Sequence, residues 1–168
     1  GNIAHDVLED FGKSQWKASP NEGAIFRFLS ERLEQYRRER FPAAVLAAVP
    51  IQLRQLELRF RSFAEFQARR VTDGWAIYEV EWKPATEGPG GVEGAVPLKM
   101  GPGEEPAWIK GKIDRIDRNV GGRPEWCVLD YKTSAKAKQI KDVYKKKRGD
   151  AEHTWRDLQL PLYRVLLR

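Results

Sequence analysis

Apolar residues at Ile3, Val7, Leu8 and Phe11 keep the three-and-four spacing of a helix with one buried face, expected to end near Gly12. A second helix is predicted from about Asn21, which suits an N-cap, with Ile25, Phe26, Leu29, Leu33 and Tyr36 as its buried stripe. Phe41-Pro42 breaks it. A third run, Ala43 to Arg69, carries Leu53, Leu56, Phe60, Phe63 and Phe66, with Pro50 expected to start or kink it. The pattern changes after Arg70. Trp75 to Trp82 is rich in aromatic and β-branched residues and reads as a strand. Pro84 to Pro106 is rich in Gly and Pro and reads as loop, with a short strand at Ala95–Met100. Trp108 to Asp117 and Glu125 to Thr133 then read as two strands of a hairpin joined by Val120-Gly121-Gly122-Arg123-Pro124. The segment after Thr133 reads as partly helical, and a last helix holds Leu158, Leu162, Val165 and Leu166.

Helices, then strands, then helices predict an α/β domain with a mixed central β-sheet flanked by α-helices. The 168 residues suit one domain: a helical region over 1–70, a sheet with the hairpin over 71–133, and a basic segment with a C-terminal helix over 134–168. The chain lacks an initiator Met and stops inside the last helical pattern, as expected of a fragment of a longer protein.

Composition narrows the class. Hydrophobic residues are 41% and charged residues 32%, too apolar for a disordered tail. No run approaches the roughly 20 apolar residues of a membrane span, and no secretory leader opens the chain, so a cytoplasmic protein without a membrane partner is expected. The one cysteine, Cys127, cannot build an internal disulfide framework. Net charge is +6, and the segment Lys132 to Arg148 alone holds eight cations against Asp142, which more than accounts for it. Such a patch attracts polyanions; it also describes an ordinary solvated lysine face.

The hairpin carries the chemistry. Asp130 and Lys132 project from one face of their strand, about 6.6 Å apart along it. Asp114, on the neighbouring strand, can stand beside Asp130 if the register allows. Adjacent carboxylates repel unless a cation joins them, and Mg²⁺ or Mn²⁺ is the natural third member. Lys132 would then orient an attacking water or steady charge on a phosphate. The competing reading is an ion-paired surface hairpin worth about 0–1 kcal/mol per pair. Asp117 is three residues past Asp114, so alternation turns it to the other face, where it is expected to pair with Arg115 or Arg118. Glu79 and Glu81 stand on the preceding strand, from which one could reach the metal. Trp126 reads as core or edge packing, and His153 as part of a polar loop.

Asp114 followed by Asp130-Tyr131-Lys132 resembles the split carboxylate and Asp/Glu-x-Lys signature of the PD-(D/E)XK nuclease superfamily. Gly111-x-Ile113-Asp114-Arg115-Ile116-Asp117 with Asp130-Tyr131-Lys132-Thr133 is similar, more narrowly, to the RecB-type nuclease domain of bacterial recombination helicase–nucleases. Two further motifs of that branch occur in order: Gly1-x-x-x-His5-x-x-Leu8-Glu9 near the start and Gln159-x-x-x-Tyr163 near the end.

The resemblance implies a restriction-endonuclease-like core with a helical N-terminal region. It implies a Mg²⁺- or Mn²⁺-dependent deoxyribonuclease of recombination or repair, with exonuclease action ranked above endonuclease action. His5, Asp114, Asp130 and the backbone carbonyl of Tyr131 would hold the ion, with Asp114, Asp130 and Lys132 as the catalytic set. Gln159 and Tyr163 would support the site or touch nucleic acid, and Lys136, Lys138, Lys141 and Lys145 would guide a phosphate backbone. Glu9, one turn after His5, would hold it or form a surface pair. DNA, as single strands or duplex ends, would be the substrate, and a helicase portion of the parent protein or complex the partner. Many relatives hold an iron–sulfur cluster through cysteines outside these motifs; Cys127 matches none of those positions, so no cluster is expected within this chain. The alternatives are a silent nucleic-acid-binding module of the same fold, and a stand-alone repair or spacer-acquisition nuclease.

Overall fold

The apolar stripe that opens the chain forms helix α1 (Ile3–Lys13), which buries Val7, Leu8 and Phe11. The computed structural model describes residues 3–41, 48–99, 101–122, 124–132, 145–148, 152–155 and 159–167, with 145–148 and 152–155 described by backbone alone. After α1 come a single 3-10 turn (Gln15–Ala18), α2 (Glu22–Arg40) and α3 (Ala48–Thr72). The strands are β1 (Trp75–Trp82), β2 (Glu87–Gly88), β3 (Val92–Glu93), β4 (Ala95–Leu98), β5 (Ala107–Lys110), β6 (Ile113–Asn119), β7 (Trp126–Leu129), β8 (Lys145–Arg148) and β9 (Glu152–Trp155), followed by helix α4 (Gln159–Leu166). Two compact units divide the chain: Gly1–Glu81 with Asp114–Tyr131, and Trp82–Ile113 with Lys132–Arg168.

In the first unit, Asn21 caps α2 as its residue type predicts, Oδ1 accepting the Ala24 N–H at 2.9 Å. Pro50 stands in the first turn of α3, where a missing N–H removes no helical hydrogen bond; residues 43–47 of that expected helix lie outside the described residues. Val7, Leu8 and Phe11, Ile25, Leu29 and Leu33, Phe60, Ala64 and Ala68, and Ile77 of β1 form one core. Burial of its larger members stabilises by about 1.5–3 kcal/mol each. Phe66, expected in the α3 stripe, is instead 41% exposed, because the buried face runs through Phe60, Ala64, Gln67 and Ala68. Asp10 ties α1 to α2, accepting from Arg32 Nε at 3.0 Å, Arg32 Nη2 at 2.6 Å and the Tyr36 hydroxyl at 3.0 Å. Burial first, and then this hydrogen bond, raise the Tyr36 pKa above its ordinary value.

The sheet of this unit has the order β1-β6-β7, and β6 and β7 pair antiparallel with Arg115↔Leu129, Ile116↔Val128, Asp117↔Cys127 and Arg118↔Trp126 in register. Along β1 the burial does not alternate strictly: Ile77 is buried, Tyr78 and Glu79 are both exposed, and Val80 turns back to the core. Trp126 is 55% exposed rather than packed in a core, its ring edge-on to Tyr78 at 4.9 Å with the Arg118 guanidinium over it.

In the second unit β4 and β5 pair antiparallel from Ala95↔Lys110 to Leu98↔Ala107, and β2 pairs with β3. The expected strand Trp108 to Asp117 is therefore two strands, broken at Gly111-Lys112. A Cβ on Gly111 would lie 2.7 Å from Leu166 Cδ1 of α4, so the chain passes that helix where only glycine leaves room. The expected strand Glu125 to Thr133 is shorter too, its ladder covering Trp126–Leu129. The described part of the basic segment is a strand, not a helix: β8 pairs with β9 from Lys145↔Trp155 to Arg148↔Glu152, which also puts His153 in a strand instead of a loop. Residues 133–144 and Leu158 lie outside the described residues.

Candidate metal centre

His5 enters the site from α1, whose apolar face fixes the helix and leaves His5 half-buried on its flank. Asp114 enters from β6, more than nine-tenths buried. Its Oδ2 accepts the Tyr131 backbone N–H at 2.7 Å, and its Oδ1 lies 3.7 Å from His5 Nδ1, beyond hydrogen-bonding range. Glu81, near the end of β1, completes the group: one ligand atom each of His5, Glu81 and Asp114 lie within 4.8 Å of one another. The donor set is chemically apt for a hard divalent cation, with two carboxylates and one imidazole. Ligand atoms about 2.1 Å from an octahedral ion stand about 3–4 Å apart, which brackets the separation of His5 and Asp114.

The β6–β7 register makes Asp114 and Asp130 the next facing positions beyond Arg115↔Leu129, as the hairpin reading required. Asp130 is half-buried and is not one of the three groups that converge. Tyr131 does two things. Its backbone N–H orients Asp114, and its ring lies against His5 and Phe63, each at 6.0 Å and edge-on. Burial pushes the phenol pKa up, with the hydrogen-bonded Arg115 guanidinium opposing, so the ring stands as a neutral wall of the site.

Behind Asp114 the strand holds a buried ionic knot. Asp117 accepts from Arg115 through Nε at 2.5 Å and Nη2 at 2.8 Å, and from Arg70 Nε of α3 at 2.8 Å. Asp117 thus pairs with Arg115, as expected, and with Arg70, which was not. Burial would lower the Arg115 pKa, but the hydrogen bond to Asp117 and the neighbouring charges leave it raised. Glu9 pairs with Lys13, not with His5.

In the second unit, Lys132 Nζ donates to Gln159 Oε1 at 2.9 Å, and Gln159 Nε2 donates to the buried Tyr163 hydroxyl. The i,i+4 spacing on α4 puts amide and phenol on one face; the ammonium group, which can only donate, takes the amide oxygen and leaves the amide N–H for the phenol oxygen. Lys136, Lys138 and Lys141 lie outside the described residues, and Lys145 opens β8.

Sequence reasoning raised both Glu79 and Glu81 without choosing. The structure selects Glu81 for the cluster and leaves Glu79 exposed. The two share strand parity, so alternation alone could not separate them.

An α/β protein whose sheet and first helix bring an imidazole and two carboxylates together has the parts of a metal-dependent hydrolase. The chain belongs to the PD-(D/E)XK nuclease superfamily, whose family profile matches residues 1–168. Its helices and antiparallel sheet are consistent with the restriction-endonuclease-like fold of that superfamily, whose nucleases use divalent metals. No curated protein and no solved structure gave a match. Among the described residues no helix is long and apolar enough to cross a membrane.

Proposed function

We propose that this chain is a Mg²⁺- or Mn²⁺-dependent deoxyribonuclease of the RecB type. It would cleave single strands or duplex ends, exonucleolytically rather than endonucleolytically, as the nuclease part of a helicase–nuclease in recombination or repair. The observation that carries the reading is the convergence of His5 and Asp114 from two motifs far apart in the sequence, with Glu81 between them in chain order. The four motifs in order support the narrower RecB-type reading.

His5, Asp114 and Asp130, with the Tyr131 carbonyl, would hold the ion. When bound, the ion supplies Lewis-acid polarisation of a phosphoryl oxygen and a lowered pKa for a water. The chain's own residues supply the geometry. The Tyr131 N–H fixes the Asp114 carboxylate, and the Asp117–Arg115 knot stiffens the strand beneath it. Lys132 presents a compact cation that orients a water or steadies charge on the phosphate. Gln159 and Tyr163 hold that ammonium group in one direction, a supporting role.

The test incubates the protein with end-labelled single- and double-stranded DNA in Mg²⁺, Mn²⁺ or EDTA, beside Asp130→Ala and Lys132→Ala. Cleavage is expected with either metal and should fall by about a hundredfold or more in each variant. Cleavage that survives chelation or either substitution refutes the mechanism. DNA binding without cleavage in every condition makes the chain a silent module of the fold.

A further inference from the structure

We infer that the β8–β9 ribbon is a binding surface for single-stranded DNA, and that the strand lies on the face carrying Lys145, Lys147, His153 and Trp155. The inference rests on the reading of the chain as a nuclease and deepens it, by naming the form of the substrate and the surface that holds it. β8 is four consecutive cations, Lys145-Lys146-Lys147-Arg148, and β9 is Glu152-His153-Thr154-Trp155. The two strands form a two-stranded sheet of their own. In an antiparallel pair, residues directly opposite share a face, and each strand alternates faces at every residue. The register Lys145↔Trp155, Lys146↔Thr154, Lys147↔His153 and Arg148↔Glu152 therefore sorts these residues into two faces.

The two faces differ in kind. One has Lys145 and Lys147 across from Trp155 and His153, with no acidic residue. The other has Lys146 and Arg148 across from Thr154 and Glu152, where the ribbon's one acid stands opposite a cation. Opposite charges facing each other across a ladder offset one another, so the second face is partly balanced within the ribbon and the first is not. A uniform run of cations cannot choose between faces. β9 makes the choice, with its acid on one face and both of its rings on the other. Cations beside aromatic rings are the two parts of a surface for single strands: charge follows the phosphates, and rings stack on bases that no partner strand covers. A duplex offers phosphates but keeps its base faces stacked, so it would use the lysines and not the indole. Stacking tolerates every base, so no sequence preference follows.

The test measures binding of the full 168-residue chain to labelled single-stranded DNA, and to a duplex of the same length, by fluorescence anisotropy in EDTA, where hydrolysis is stopped. The double variants Lys145→Gln/Lys147→Gln and Lys146→Gln/Arg148→Gln each remove two positive charges from one strand, so counterion release alone predicts equal losses. The first is expected to weaken single-strand binding at least about fivefold more than the second. Trp155→Ala is expected to weaken single-strand binding about tenfold, Trp155→Phe much less, and neither to change duplex binding by more than about twofold. The charge-matched double variants control for each other's effect on folding. If the parent chain binds neither DNA, the nuclease reading loses its substrate and this inference goes with it. If the parent binds DNA but the two double variants lose single-strand affinity equally, this inference alone is overturned. The same holds if Trp155→Ala binds single strands as tightly as the parent, or loses single strand and duplex alike.

Discussion

Asp117 shows how two carboxylates three residues apart on one strand come to opposite uses. Asp114 sits on the side that faces His5, held by one backbone N–H. Asp117, fully buried, sits between the guanidinium groups of Arg115 and Arg70. Its removal would leave the buried Arg115 and the partly buried Arg70 without this anion, and breaking such a knot from one side costs about 3–5 kcal/mol. A solvated pair such as Lys13–Glu9 contributes about 0–1 kcal/mol. Asp117→Ala is therefore expected to lower the urea midpoint sharply, and Glu9→Ala hardly at all. Equal, small effects in equilibrium unfolding would show that the knot is not a structural support. Half of this was legible in the sequence: strand parity turned Asp117 away from Asp114 and left Arg115 or Arg118 as its partner. Arg70 was not legible, because a partner 47 residues away on a helix leaves no local spacing to read.

At the scale of elements, the position of His5 depends on how closely α1 packs against β1. Gly12 makes that approach possible, since a Cβ there would collide with Val80 Cγ1. Two effects oppose each other in Gly12→Ala. Helix propensity favours alanine by about 1 kcal/mol, and overpacking a well-filled contact costs about 1–3 kcal/mol. The collision is with a branched side chain on a strand, which cannot swing aside freely, so a net loss is expected. The checks are a lower melting temperature and weaker Mn²⁺ binding, as α1 is pushed outward with His5. An unchanged melting temperature would mean that Val80 yields easily. The sequence showed α1 as ending near this glycine, but not why a glycine is there. It showed α2 with its cap, because a five-residue stripe and an Asn are local signals. It joined β5 to β6, because strand-forming residues stand on both sides of Lys110-Gly111-Lys112, at Trp108, Ile109, Ile113 and Ile116, while the strand partner changes from β4 to β1 and β7. It left Glu81 unresolved from Glu79, because a change of φ at one residue leaves parity and composition untouched.

At the scale of the whole molecule, charge rather than fold decides how substrate would be held. The net charge is +6, and the segment from Lys132 to Arg148, with eight cations and one anion, exceeds it. Everything outside that segment sums to about neutral, so the net attraction for a polyanion comes from this segment. Phosphate contacts bind by releasing condensed counterions, and each lowers the slope of log K against log salt by roughly 0.7 for a single strand. Such contacts position the backbone and read no base edges. Replacing Lys136, Lys138, Lys141 and Lys145 by glutamine is expected to make that slope shallower by roughly 2–3. Loss of affinity should be about equal for oligonucleotides of different sequence. Fluorescence anisotropy in EDTA, across a salt series, measures binding without hydrolysis. A slope that does not move would identify the lysines as an ordinary solvated face, and substrate guidance would then have to come from other groups. A slope that moves only for some sequences would mean the segment reads bases, which a run of flexible, point-charged lysines is poorly built to do.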